Sequence, residues 1–177
     1  MEVLRDDLCF ILDLEGFFTY RKFFHARELG CYTWNQEHGR HAFFIPTPYK
    51  ALNNKDRSTV HFVCNKIHGL SYQPTQADHA HHPMLLKLLF KNLYQKYKTN
   101  TRTIVGYKGG HVEKDLLQKR NIPSLNLETL GCPKYDVLRT RFPSESLLPS
   151  CLFHKDDKVH HCPVTECHAF WKWYEIH

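Results

Sequence analysis

Short apolar runs separated by polar turns dominate the first half of the chain, and they predict β-strands. Residues 9–14 (CFILDL) are almost wholly apolar and lead into acidic residues, which is typical of a buried central strand that runs into a turn. Residues 26–34 predict a second strand and residues 42–45 a third. A hairpin turn around Gly39 would join the second and third strands.

Helical periodicity takes over in the second half. Residues 84–98 place leucines on one face and lysines on the other, which predicts an amphipathic helix. Residues 111–120 predict another helix, and a last one starts at Pro163, because proline suits the first helical position. Residues 103–107 predict a buried strand and residues 125–127 a short strand, both between helices.

The long connection over residues 47–83 is harder to assign. It holds several prolines, a strand-like piece at 60–64 and a histidine-rich run at 78–82. Loops of this length often line binding sites. The histidines could bind a metal ion, but exposed histidines in such a run usually do not.

The order of elements predicts an α/β fold, with a mixed sheet and helices on its faces. The chain has 177 residues, which is a usual size for one domain, so we expect a single domain over residues 1–177.

Composition indicates which partners and which cellular compartment to expect. The formal net charge is +6, which slightly favours a polyanionic partner over ordinary solubilising charge. The seven cysteines are an odd number, and several have metal-ligand neighbours, so we expect reduced thiols and metal binding in an intracellular protein, cytoplasmic or nuclear. We find no stretch of about 20 apolar residues and no secretory signal, so we expect no membrane partner.

Two carboxylates sit at the end of the first predicted strand. Asp13 and Glu15 are two apart, so their side chains share one face of a strand. Like charges so placed are costly unless a cation lies between them, and a pair of Mg²⁺ or Mn²⁺ ions is a usual solution. The alternative is that both residues merely end the strand and cap a turn.

A histidine and a third carboxylate flank the start of the last predicted helix. His161 lies just before this helix and could take a proton from an attacking water, while Glu166 in the first turn could hold a metal ion. The alternative is that Glu166 only complements the helix dipole.

A fourth carboxylate is expected from the helix over residues 111–120. Glu113 and Asp115 are two apart and cannot share a helix face. Val112 and Leu117 mark the buried side, which places Glu113 at the sheet-facing edge and makes it the preferred candidate. Both could also be solvated surface charges.

Together these residues resemble the motifs of DEDDh-type 3′–5′ exonucleases, which have a ribonuclease H-like fold. That superfamily has Asp-x-Glu on the first strand, an acid on a middle helix and His-x4-Asp at the last helix. The matching residues are Asp13, Glu15, Glu113, His161 and Glu166. The resemblance implies that the four acids hold two catalytic divalent ions and that His161 is the general base.

A narrower resemblance concerns zinc. The Maelstrom domain and the arenavirus nucleoprotein exonuclease domain carry a zinc ion held by Glu, Cys, His and Cys. The residues similar to these ligands are Glu28 in RELG, Cys151 and His154 in CLFH, and Cys162. The resemblance thus implies a structural Zn²⁺ site beside His161, and the short Cys-x2-His spacing suits a metal knuckle. His160 and Cys167 are nearby competitors for the fourth position.

The resemblance implies a metal-dependent 3′–5′ exonuclease that acts on RNA or single-stranded nucleic acid. Phe17, Phe18 and Tyr20 follow Glu15 and could stack on terminal bases or belong to the core. Two expected aspartates are glutamates here, at positions 113 and 166, and metal-assisted chemistry is sensitive to displacements of about 1 Å. Two other hypotheses therefore stay open: a catalytically inactive, Maelstrom-like RNA-binding module, and a zinc-stabilised protein-interaction domain.

Overall fold

The computed structural model describes residues 6–19, 22–141 and 161–177. Three residues singled out in the sequence, Tyr20, Cys151 and His154, lie outside these ranges, as does the alternative zinc ligand His160.

A five-stranded mixed sheet forms the centre of the fold. Its strands are β1 (Leu8–Phe18), β2 (Phe24–Thr33), β3 (His38–Ala42), β4 (Ile104–Tyr107) and β5 (Ser124–Asn126). The spatial order is β3-β2-β1-β4-β5. The β1–β2 and β2–β3 pairs are antiparallel, whereas β1–β4 and β4–β5 are parallel. The predicted α/β class with a mixed sheet is confirmed.

Helices cover the sheet. They are α1 (Asn54–Phe62), α2 (Leu86–Tyr97), α3 (His111–Gln118), α4 (Tyr135–Arg141) and α5 (Pro163–Ile176). The helices predicted around residues 84–98 and 111–120 and from Pro163 are therefore present. Among the residues that the structure describes, no helix has the length and apolarity needed to cross a bilayer.

Strand β1 contributes to a core on each side of the sheet because successive side chains point to opposite faces. One core gathers alternate residues of β1 with the buried faces of α2 and α3, namely Phe10, Leu12, Leu14, Phe90, Leu93 and Leu117. The other gathers Ile11 with buried residues of α5, namely Cys167, Ala169, Phe170, Trp171, Trp173 and Tyr174. The face of β1 that carries Ile11 therefore looks toward α5.

The predicted position of the third strand is wrong. Strand β3 spans His38–Ala42, and Gly39 lies inside it rather than in the hairpin turn. The turn is earlier, where the Thr33 and Glu37 main chains are hydrogen-bonded. Residues 42–45 look strand-like because Phe43 and Ile45 are buried in core clusters, although they follow the strand.

The prediction of a strand-like piece at residues 60–64 is also wrong. Helix α1 runs through Val60 to Phe62 and continues into a π-helical turn, Val63–Ile67. The Asn53 side chain caps α1 by accepting a hydrogen bond from the Asp56 N–H at 2.8 Å. Val60 faces inward and is buried, so its apolar character reflects a helix face and not a strand.

Candidate active site

The site lies at the carboxyl end of the parallel strands, where loops from several elements meet. Asp13 and Glu15 lie just beyond the last pair of β1 with β4, on the face that looks toward α5, and their antiparallel neighbours on β2 are Gly30 and Glu28. Strand β1 continues to Phe18, so the alternative that these two acids merely end the strand is wrong. The register shifts after Glu15, at Gly16, so a β-bulge follows the two acids directly. Bulges are common beside functional sites because they redirect side chains.

Gly30 permits the close approach of α5. A Cβ atom at this position would lie 2.5 Å from the Val164 nitrogen and would also collide with the main chain of Pro163. The first turn of α5 therefore rests on β2 directly opposite Asp13. This contact brings Glu166, in that first turn, against the end of β1.

His161 and Glu166 meet beside the two β1 acids. The His161 Nδ1 atom is 3.3 Å from Glu166 Oε1. Possible ligand atoms of Glu15, His161 and Glu166 all lie within 4.8 Å of one another. Glu166 is buried, whereas the His161 side chain is 38% exposed, so the cluster is open to solvent on the histidine side.

Glu113 is the fourth acid of the cluster. It lies in the first turn of α3, is buried, and accepts a hydrogen bond from the Leu14 N–H at 3.2 Å. Its side chain folds back over Gly110. Asp115 is exposed to solvent. Of these two residues, Glu113 is therefore the one that lies beside the β1 acids.

The electrostatics of the β1 acids are unfavourable to ionisation. Burial raises the pKa of Asp13 well above its ordinary value, and the negative charges of Glu166 and Glu113 raise it further. Burial also raises the pKa of Glu15 well above its ordinary value, with Asp13 as the next cause. His161 acts in the opposite direction and lowers the pKa of Glu15.

The two helical acids share this environment. Burial raises the pKa of Glu166 well above its ordinary value, and the charge of Glu15 adds to the effect. Burial raises the pKa of Glu113 as well, although hydrogen bonds from its own N–H and from that of Leu14 counteract it. Within the described ranges, no lysine or arginine forms an ion pair with any of the four acids.

The donor set fits a divalent cation. Carboxylate oxygens are the ligands that Mg²⁺ prefers. Oδ2 of Asp13 is buried without a hydrogen-bond partner in the described part of the protein, so one oxygen of the cluster has an unfilled acceptor position. A cation there would satisfy that oxygen and relieve the mutual repulsion of the acids.

Two of the four residues that resemble zinc ligands, Glu28 and Cys162, are among the described residues. Cys162 is buried at the N-terminal boundary of α5, and Glu28 is fully buried on β2. The Glu28 carboxylate forms an ion pair with Arg40, which also contacts Asp78 at 3.0 Å. Cys167, the alternative ligand, faces the core with its Sγ 3.6 Å from the Gly30 carbonyl oxygen.

The aromatic candidates separate into two groups. Phe17 is buried, with its ring against those of His68 and Tyr72. It therefore belongs to the core and is not available to stack on a base. Phe18 is 52% exposed and contacts Phe24. Phe23, which the sequence did not single out, is 63% exposed and directly precedes β2. Its position after a hairpin that follows the Asp-x-Glu motif was the available indication.

The missed residue with the clearest structural role is Gly30. A glycine inside a predicted strand indicates close approach of another backbone, and the sequence offered that indication. It could not show that the approaching segment is the first turn of α5, 133 residues later, because that contact depends on the tertiary fold.

Fold and site together define an α/β protein with a carboxylate cluster at the carboxyl end of a mixed sheet. The chain is similar to protein I267L of African swine fever virus, with 34% identity over 93 residues in strain Badajoz 1971 Vero-adapted. It is 32% identical over 93 residues to the same protein of isolate Tick/South Africa/Pretoriuskop Pr4/1996. Each match covers 49% of this chain and 33% of the viral protein, so the chain matches about a third of the length of these relatives. No protein-family model and no solved structure matches.

Proposed function

We propose that this protein is a metal-dependent 3′–5′ exonuclease that acts on RNA or single-stranded nucleic acid. The observation that carries the proposal is the convergence of Asp13, Glu15, Glu113, His161 and Glu166, from three elements and one loop, at one end of a single sheet. Buried like charges are costly, and a cation-dependent reaction gives them a function.

The proposed ribonuclease H-like fold is supported by the sheet. Strand β2 is antiparallel to β1 and β3, and the remaining pairs are parallel, so one reversed strand lies in an otherwise parallel sheet flanked by helices. In this proposal Asp13 and Glu15 lie on the central strand. Glu113 and Glu166 lie in the first turns of α3 and α5.

Glu15 and Glu166 have ligand atoms within 4.8 Å of one another, and the charge of Glu166 acts on Asp13, so these three residues would hold a divalent ion. Glu113 would join them by turning away from the Leu14 N–H. When bound, such ions lower the pKa of water and stabilise charge on the leaving oxygen of a phosphodiester. Glu166 contacts Nδ1 of His161, so Nε2 of this partly exposed ring is the nitrogen that would accept a proton from the attacking water.

Exposed aromatic rings lie close to the acids along the chain. Phe18 is three residues beyond Glu15, and Phe23 lies across the hairpin from it. Base–aromatic stacking contributes about 1–3 kcal/mol per base and tolerates any sequence, which suits an enzyme that removes successive nucleotides.

We further propose a structural zinc site that involves Glu28, Cys151, His154 and Cys162. Its support is the sequence spacing and the placement of two ligands on touching elements, because β2 contacts the start of α5 at Gly30. Metal analysis of purified protein should find about one zinc per chain. Cys162→Ser should lose it and Cys167→Ser should keep it, whereas zinc retained by Cys162→Ser would remove this proposal.

The test of the nuclease proposal uses single-stranded RNA and DNA labelled at the 5′ end, with Mn²⁺, Mg²⁺ or chelator. We expect a ladder of products shortened from the 3′ end, dependent on the metal. Asp13→Asn should abolish the ladder because it removes a ligand while preserving shape. Asp115→Asn, an equal change at an exposed position of α3, should leave it intact.

One observation favours a second candidate, the inactive RNA-binding module. Glu113 is one methylene longer than the aspartate of the resembled motif, and its carboxylate is engaged by the Leu14 N–H. Binding of RNA without a ladder under any metal would support this candidate. Loss of both cleavage and binding, with zinc retained, would support a protein-interaction domain.

A further inference from the structure

A basic groove lies beyond the C-terminal end of α3, whereas Glu113 lies in the first turn of this helix. It encloses about 420 Å³ between α2 and the chain that follows α3. Lys87 and Lys91 come from α2, and Arg120 and Asn121 come from the segment after α3. We call this concavity, lined by these four residues with Tyr94, Gln95 and Ile122, the α2–α3 groove.

The α2–α3 groove is positively charged. Of the described residues, three cations line the α2–α3 groove, Lys87, Lys91 and Arg120, and no acidic residue does. None of the three forms an ion pair with a carboxylate in the part of the chain that the structure describes. Both lysines are exposed and are four residues apart, so they project from the same face of α2.

The walls are held by hydrogen bonds and burial. Arg120 Nη1 donates to the Leu116 carbonyl oxygen at 2.6 Å, which anchors the guanidinium at the rim. The Tyr94 hydroxyl donates to the Thr103 carbonyl oxygen at 2.9 Å. Asn121 adopts a left-handed conformation with φ of 52°, and the following Ile122 is buried. The concavity is therefore a feature of the fold and does not depend on surface side chains alone.

The spacing of the cations favours a chain of phosphates over a single phosphate. Residues four apart on a helix are separated by about 6 Å along its axis. Lys87 and Lys91 can thus each engage a different phosphate, while Arg120 faces them from across the groove. From Glu113 to Arg120 the chain advances by roughly 10 Å along α3, which a few nucleotides can span.

We propose that the α2–α3 groove binds the sugar–phosphate backbone of a single-stranded polynucleotide whose 3′ end lies at the carboxylate site. The proposal rests on the proposed function for the direction of the strand, but the groove's affinity for a polyanion does not depend on cleavage. A small phosphorylated ligand has the same chemistry, and the experiment separates the two sources.

The experiment measures binding of a fluorescent 20-nucleotide single-stranded RNA in chelator, over a range of salt concentrations, to the full chain. The triple variant Lys87→Gln, Lys91→Gln, Arg120→Gln should lose about tenfold or more in affinity at low salt. Its slope of log affinity against log salt should fall by about 2, because each lost phosphate contact contributes about 0.7. Cleavage of a dinucleotide, which is too short to reach the groove, should be unchanged.

The matched control is Lys50→Gln, Lys55→Gln, Lys66→Gln, which removes the same charge from exposed positions of the segment around α1. An equal loss in both triples would mean that only net charge matters and would overturn the proposal. Saturable binding of inorganic phosphate at the groove, with RNA affinity unaffected by the groove triple, would identify a small-ligand site and also overturn it. If the wild type does not cleave RNA, but only the groove triple loses RNA affinity, the nuclease proposal is wrong and the groove proposal is supported.

Discussion

Asp13 on the central strand and Glu166 in the first turn of α5 are close enough for the charge of one to act on the other. Burial and mutual repulsion raise the pKa of both carboxyl groups. An isolated pair of this kind weakens the fold when ionised, whereas a pair that shares a cation links the two elements. The consequence of removing one charge therefore depends on whether metal is present.

The substitution Asp13→Asn should change the thermal stability differently with and without a divalent metal ion. In chelator at pH 8 the variant should unfold at an equal or higher temperature than the wild type, because a repulsive charge is gone. With Mn²⁺ the wild type should gain stability and the variant should gain little, since stabilisation follows ligand affinity for the native state. Thermal unfolding followed by circular dichroism measures this, and Asp115→Asn should respond to Mn²⁺ as the wild type does.

Gly30 tests the placement of α5. Gly30→Ala should lower the free energy of unfolding by about 1–3 kcal/mol, because a Cβ there collides with the main chain of Pro163 and Val164. Gly39→Ala on β3 is the control, since its Cβ would meet only the Cys31 Sγ and His41 Nε2 atoms, at 3.3 and 3.5 Å. Urea unfolding compares the two. Equal stability of both variants would contradict the described approach of α5 to β2.

At the scale of elements, sequence patterns predicted what depends on local periodicity. The apolar run of β1 and the amphipathic stripe of α2 were both found, because burial on one or both faces imposes a regular pattern. The position of β3 was missed, since its residues are polar and its apolar flank packs beyond the sheet. Apolarity indicated burial there, but it did not indicate strand pairing.

The same distinction applies to the site. The candidate acids could be named from the sequence, because Asp-x-Glu in a buried strand and a histidine before a helix are local features. The carboxylate rotamer of Glu113, the burial of Phe17 and the ion pair of Glu28 with Arg40 were not predictable, since they depend on contacts between distant segments. The basic groove also needs tertiary structure, because Arg120 joins the two lysines only in the fold.

Helix α1 provides a test at this scale. Asn53→Ala should cost about 1 kcal/mol of stability, since it removes the acceptor for the Asp56 N–H at the start of the helix. Asn54→Ala, one residue later and inside the helix, should cost nothing or stabilise, because alanine has the higher helix propensity. Chemical denaturation measures the difference, and an equal effect of both substitutions would contradict the capped helix.

At the scale of the whole molecule, the acid cluster makes stability depend on pH. The native pKa values of Asp13, Glu15, Glu113 and Glu166 lie above those of the unfolded chain, which are about 4. The native state then binds more protons, so the contribution of these groups is fully present below about pH 4 and is lost as pH rises toward the native pKa values.

The predicted measurement is the stability of Asp13→Asn minus that of the wild type, in chelator, from pH 5 to 8. This difference should increase with pH, because the wild type progressively loses protons from the cluster. Taking a difference cancels the opposite trend from His25, His41 and His168, whose pKa values burial lowers. A difference that is flat or falls with pH would show that the cluster is already ionised without strain in the metal-free protein.

The most direct test of the central claim is an anomalous scattering measurement on crystals soaked in manganese chloride. We predict a peak in contact with Asp13, Glu15 and Glu166, and its loss in crystals of Asp13→Asn. Well-ordered carboxylates in the described arrangement, with no manganese peak between them, would contradict the account.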